Sequence, residues 1–217
     1  MTPQIKSEER VRVDSLEEVV IYYPLFKSID HVCQTMPSKS DSTIIFCCSA
    51  SFTGQLLKDF NHRNIAGNHV SSGVYYHGYS CRPNTGAFVY YDGKFKFLLH
   101  NYNEEMIKSS KCGGMGFGQN MIIFNHRTQP SFRNLSSKFV YRALCELNGE
   151  ICVIESIHVV PYSSFISSLE KLSVKHALYL DMGSGWNYSW YRDNNGVVKE
   201  IHPYVHSYLT NWLVFRR

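Results

Sequence analysis

The chain has 217 residues, 44% hydrophobic and 18% charged, which is enough for one domain with a sizeable core and too apolar for a disordered segment. Its net charge of +4 comes from lysines and arginines scattered along the chain, with no aromatic RNA-binding motif among them, so no nucleic-acid partner is expected. The seven cysteines contain no Cys-x-x-Cys pair, which argues against a zinc site, and no apolar run is long enough to span a membrane.

Residues 1–14 read as a polar lead-in holding at most an edge strand, and residues 19–23 are rich in strand formers up to Pro24. Leu25, Ile29, Val32 and Met36 fall at helical spacing, which predicts a helix ended by Pro37. Residues 43–49 are a buried-strand candidate, followed by a short helix through Leu56, Leu57 and Phe60. The stretch 61–86 is dense in Gly, His, Asn and Ser with tyrosines between them, a long polar loop of the kind that carries function.

The clearest hairpin runs through residues 86–91, turns at Asp92-Gly93 and returns over 94–99, because Asp-Gly supplies the positive φ angles of a type I′ turn. A helix is expected over 103–111, a glycine-rich loop over 112–119 and a strand over 120–124. A second hairpin covers 139–147 and 151–155 around Asn148-Gly149, and its Cys145 and Cys152 are either partners across that hairpin or small buried hydrophobes. Residues 162–172 form an amphipathic helix with Phe165, Ile166, Leu169 and Leu172 on one face. A buried strand over 176–181, a third hairpin tipped by Asn194-Asn195-Gly196, and a closing strand over 210–215 complete the chain. The expected architecture is one α+β domain of hairpin-built antiparallel or mixed sheets with a few packed helices, spanning residues 1–217.

The chemistry concentrates where the strand over 176–181 delivers Asp181 to a Gly183-Ser184-Gly185 turn followed by Trp186, Asn187, Tyr188 and Trp190. Such a turn lets backbone approach a ligand, and the indoles and amide suit a sugar; the competing reading is a tight turn with tryptophans packed for stability. Arg142 inside a strand reads either as an anion-binding guanidinium or as an outward arginine paired with Glu146 on the same strand face. Glu155 ends the return strand of that hairpin, and if it neighbours the strand of Asp181 the two acids share one end of a sheet, as glycosidic cleavage commonly requires. Pro203 argues against a helical metal pair at His202 and His206, and His62 and His69 read as loop histidines that could lie at the surface, so no metal and no other cofactor is expected. Gly-Ser-Gly lacks nucleophile-elbow spacing, and the glycines over 113–118 precede no Lys-Ser/Thr, so neither is a serine-hydrolase nor a phosphate loop.

Several blocks together resemble the phosphodiester glycosidase family: Arg142-Ala143-Leu144, the Asn148-Gly149 turn, the acid at Glu155, the helix over 165–172 and Ala177-Leu178-Tyr179-Leu180-Asp181. Upstream, Gly118-Gln119-Asn120-Met121 looks like the family's glutamine segment, and Cys48-Ser49-Ala50-Ser51-Phe52 like its Asn-Gly-x-Phe segment without the Asn. The likeness is strongest over 139–190; Met182 stands where the family has Gly and Glu155 where it has Asp, which looks like a divergent subgroup similar to ones in gut bacteria. The resemblance implies a hydrolase that cleaves a sugar-1-phosphodiester, on a substrate such as a bacterial cell-wall or capsular glycan. Arg142 would hold the phosphate, Asp181 and Glu155 would be the acid/base pair, and Ser184 and Gln119 would line the pocket. Local chemistry adds Asn187, Tyr188 and Arg82 as substrate contacts. The alternative is a glycan- or sugar-phosphate-binding module without turnover. Oligomeric state and compartment are not set by these residues.

Overall fold

The computed structural model describes residues 9–80 and 85–217. Three antiparallel sheets make up most of it. The largest has seven strands in the order Val11–Leu16, Val19–Pro24, Glu150–Ser156, Arg142–Leu147, His176–Tyr179, Met121–Phe124 and Arg127–Thr128. A five-stranded sheet runs Val198–His202, Ser189–Arg192, Ile44–Ser49, Asn211–Arg216, Ser28–Cys33, and a second runs Val74–Tyr76, His69–Ser71, Met115–Gln119, Gly86–Tyr91, Lys94–Leu99. Among the described residues the α-helices are Asn103–Lys111 and Tyr162–Lys171, so the fold is sheet-dominated and the expected α+β description fits it only loosely.

Side-chain alternation assembles the core. From the seven-stranded sheet, Tyr22, Leu144, Val153, Leu178 and Leu180 point one way and meet Phe46, Cys48, Leu213 and Phe215 of one sheet and Phe88, Phe97 and Phe117 of the other. The residues between them, including Ala143, Cys145, Ile154, Ala177 and Tyr179, face the opposite way and are covered by Tyr162, Phe165, Ile166 and Leu169 of the second helix. Cys145 and Cys152 are register partners and both remain free, buried thiols. The outer face of the Ile44–Ser49 sheet is sealed by Trp190, Trp212, Val214 and Tyr188.

The three hairpins form where expected, with Asp92 and Gly93 at φ 51° and 68° and Asn148 and Gly149 at 53° and 82°. Four expectations fail. The polar stretch 61–86 is not one long loop, since among its described residues His69–Ser71 and Val74–Tyr76 pair as strands. The helix over 25–36 is instead the edge strand Ser28–Cys33, in which Ile29 and His31 alternate inward and all six residues pair with the closing strand. No helix forms at Leu56, which is exposed; only the 3₁₀ turn His62–Asn64 follows. The glycine-rich stretch after Cys112 becomes the strand Met115–Gln119, because Gly116 and Gly118 let two flanking strands approach closely.

Candidate functional site

Arg142 opens its strand on the face that looks between two sheets, directly opposite Glu155. It is fully buried, and its Nε and Nη2 both reach Glu155 Oε2 at 2.7 Å. Nη2 also donates to Ser189 Oγ at 2.6 Å, and the guanidinium donates to the Asn187 carbonyl at 3.3 Å. His202 closes the other side of Glu155, with Nε2 donating to Oε1 at 2.6 Å. Because Ser189 and His202 are themselves register partners in the facing sheet, two cross-strand pairs meet across the sandwich. Burial pushes the Glu155 carboxyl upward, but the charge of Arg142 and the bond from His202 outweigh it and leave the group below its usual range. Glu155 is therefore an ionised, saturated carboxylate. The alternative pairing of Arg142 with Glu146 does not occur; Glu146 takes Lys175 at 2.9 Å.

Asp181 lies at the same end of the seven-stranded sheet. Its strand and that of Glu155 are not neighbours; they flank the Arg142–Leu147 strand on either side. Leu180 N–H donates to the Arg142 carbonyl, and Asp181 N–H donates to Ala50 O, both at 3.0 Å. The carboxylate accepts from Gly183 N–H at 3.2 Å. Burial pushes this carboxyl up to about 7, against the backbone N–H groups of Gly183 and Met182 and the positive charges of Arg133 and Arg142. An acid so placed is a poised proton carrier at neutral pH.

Two buried amides lie on the neighbouring segment. Tyr179 N–H donates to Asn120 O at 2.8 Å, and Ser51, next to Ala50, donates through Oγ to Gly118 O at 3.2 Å, so the Gly118–Gln119–Asn120 segment borders the backbone that holds Asp181. Gln119 Oε1 accepts from Asn120 N–H at 2.9 Å, which orients the amide and leaves Nε2 buried without a hydrogen-bond partner; Asn120 Nδ2 is in the same condition. Arg133 is half-buried, its guanidinium 5.2 Å from the rings of Phe132 and Tyr179, and its Nε is also buried without a partner. Unpaired buried donors of this kind suit an oxygen-rich anionic or hydroxylated ligand, and the Arg133 charge also acts on Asp181.

The remaining expected contacts scatter. Ser184 is exposed on the turn, Asn187 is half-buried and engaged through its carbonyl by Arg142, and Tyr188 is packed against the outer tryptophans. Arg82 lies outside the described residues. A hollow of about 520 Å³ opens elsewhere, lined by Gly67, Asn68, His77, Tyr79 and His100. Arg133, Asn120 and His202 were not anticipated as site residues: Arg133 sits in an unpatterned loop and the two others acquire partners only through sheet packing. His69 is buried at the start of a strand and His62 is half-buried, so neither is the surface loop histidine that the sequence allowed.

No protein-family model and no curated protein matches the chain. Solved structures do match in fold. One is the catalytic domain of zebrafish N-acetylglucosamine-1-phosphodiester α-N-acetylglucosaminidase, auto-inhibited by its pro-peptide, with TM-score 0.60 and 11% identity over 97% of this chain and 83% of that one. Another is a hypothetical protein from Synechocystis, with TM-score 0.61 and 14% identity over 95% of this chain and 61% of that one. At these identities the likeness is one of fold. It supports the architecture implied by the motif resemblance without assigning the chain to the family. Among the described residues no helix is long and apolar enough to cross a membrane.

Proposed function

We propose that the chain is a hydrolase that cleaves a sugar-1-phosphodiester, releasing the sugar from its phosphate with entry of water. The observation that carries this reading is the buried Asp181 carboxyl, raised to about 7 at the end of a strand whose Tyr179 N–H is held by Asn120, with the buried side-chain donors of Gln119 and Asn120 unpaired on that same neighbouring segment. Asp181 gives its proton to the departing phosphate oxygen, and the amides with Arg133 take the phosphate or the sugar hydroxyls. Glu155, held ionised by Arg142, orients His202, and that pair receives the proton of the attacking water. Arg142 fixes the Asn187 carbonyl and so the loop that carries Ser184, Asn187 and Tyr188. The fold shared with a phosphodiester glycosidase domain supports the assignment.

The test is release of N-acetylglucosamine from a synthetic glycosyl-1-phosphodiester. Wild-type protein releases the sugar, and Asp181→Asn does not while its melt stays within a few degrees. Undiminished release by that variant removes Asp181 from the role.

A second reading, a sugar-phosphate-binding module without turnover, is favoured by the saturation of Arg142 and Glu155 by each other and by Ser189 and His202. Calorimetric binding of a sugar phosphate with no product after prolonged incubation selects it.

A further inference from the structure

Away from Asp181, three metal-binding side chains from separate elements converge. Cys33 ends the edge strand of one five-stranded sheet, His69 begins a strand of the other, and His62 opens the 3₁₀ turn between Thr53 and Ile65, which bridge to each other. One ligand atom from each, including Cys33 Sγ, lies within 4.8 Å of both others. His62 Nδ1 and His69 Nε2 stand 2.9 Å apart. We propose that Cys33, His62 and His69 form a binding site for a borderline-soft divalent transition ion of the Zn²⁺ class, clamping the loop of His62 to both five-stranded sheets.

The support around these residues is of the kind a metal site requires. His69 Nδ1 donates to the Gly67 carbonyl at 3.1 Å, which fixes the tautomer and leaves the Nε2 lone pair facing His62. His62 is oriented by Tyr76, whose ring stacks on the imidazole, and by the Asn61 capping box that shapes its turn. His31 packs edge-on to His69 and behind the thiol, with Nδ1 at 3.9 Å from Cys33 Sγ and Nε2 on Asn211 Oδ1 at 3.2 Å. One sulfur and two imidazole nitrogens select Zn²⁺ and its neighbours over Mg²⁺ or Ca²⁺, and three protein ligands leave one tetrahedral position for water. Tetrahedral Zn²⁺ separates two imidazole nitrogens by about 3.3 Å, so binding parts these rings by only a few tenths of an ångström. The sequence spacing, Cys33 then His62 then His69, has no local motif, which is why the site escapes a search for Cys-x-x-Cys or His-x-x-x-His. The competing arrangement is a metal-free hydrogen bond in which His62 Nδ1–H donates to His69 Nε2.

Cobalt distinguishes the two. Chelator-treated protein in a Cys112→Ser background, which removes an exposed thiol, is titrated with Co²⁺. The proposal expects saturation at one equivalent, with tetrahedral d–d absorption and a thiolate-to-cobalt charge-transfer band that Zn²⁺ abolishes by displacement. Cys33→Ser eliminates the charge-transfer band, and His69→Gln weakens binding at least tenfold while circular dichroism shows the sheets intact. Zn²⁺ raises the melting temperature of the parent and not of Cys33→Ser. Absence of a stoichiometric band, or its persistence at full strength in Cys33→Ser, overturns the site. Should Cys33→Ser fail to fold, the parent titration alone decides between an ion and a bare hydrogen bond.

Discussion

Arg142 and Glu155 lie opposite each other on adjacent antiparallel strands, with two guanidinium nitrogens 2.7 Å from one carboxylate oxygen and no more than 6% of either side chain exposed. A pair this dry is a positioning device more than a net stabiliser, because desolvation of both ions consumes most of their attraction. Removing one partner is a different matter. Arg142→Met leaves Glu155 with His202 alone and is expected to destabilise the fold by about 3–5 kcal/mol in urea titration. The double variant Arg142→Met/Glu155→Leu recovers at least half of that loss. If the double loss equals the sum of the two single losses, the pair is not coupled as described.

Asp181 makes the pH dependence specific. Its carboxyl is raised to about 7 from an ordinary 3.8, so ionisation is harder in the folded chain than in the unfolded one. The associated stability is fully present below the unfolded value near 4 and is lost as pH rises through about 7, a total of about 4 kcal/mol. Asp181→Asn abolishes that slope. The variant is therefore expected to gain on wild type steadily between pH 4 and 8 in paired thermal melts, while wild-type turnover falls above pH 7 as the proton is lost. Parallel stability curves for the two proteins exclude a buried, reluctant acid at this position.

What could be read in advance was local. Asp92-Gly93 and Asn148-Gly149 dictate their turns through positive φ at both residues, Gly196 does so alone at the third tip, and the helix face Phe165, Ile166, Leu169 is fixed by period alone. The segment 25–36 satisfied the helical period equally well, yet its conformation is decided by pairing with Asn211–Arg216 at the far end of the chain. The acid at Asp181 was visible from its strand and turn. Its companions Arg133 and Asn120, and the capture of Arg142 by Ser189 rather than Glu146, depend on which sheet faces which, and no periodicity encodes that.

Gly116 shows why a stretch that resembles a loop becomes a central strand. It pairs with Val70 on one side and Val89 on the other, and an added Cβ would stand 2.8 Å from Val89 Cγ1 and 3.1 Å from the Phe88 carbonyl. Backbone cannot retreat on either flank without breaking a ladder. Gly116→Ala is expected to destabilise by about 1–3 kcal/mol, read as a lower denaturant midpoint at unchanged slope. A neutral or stabilising result means that Val89 rotates away and the close approach is not required.

Gln119 separates binding from folding. Its Oε1 satisfies the Asn120 N–H, whereas its buried Nε2 has no partner, so the side chain gains one hydrogen bond and carries one desolvated donor. The two effects are each of order 1–2 kcal/mol and opposite in sign. Gln119→Met removes both, fills nearly the same volume, and is expected to shift stability by less than about 1 kcal/mol. A ligand that takes Nε2 as a donor loses that bond in the variant, so its affinity drops about tenfold as measured by calorimetry with a sugar phosphate. A large loss of stability with unchanged affinity reverses the assignment and makes Gln119 a structural residue whose donor is satisfied within the fold.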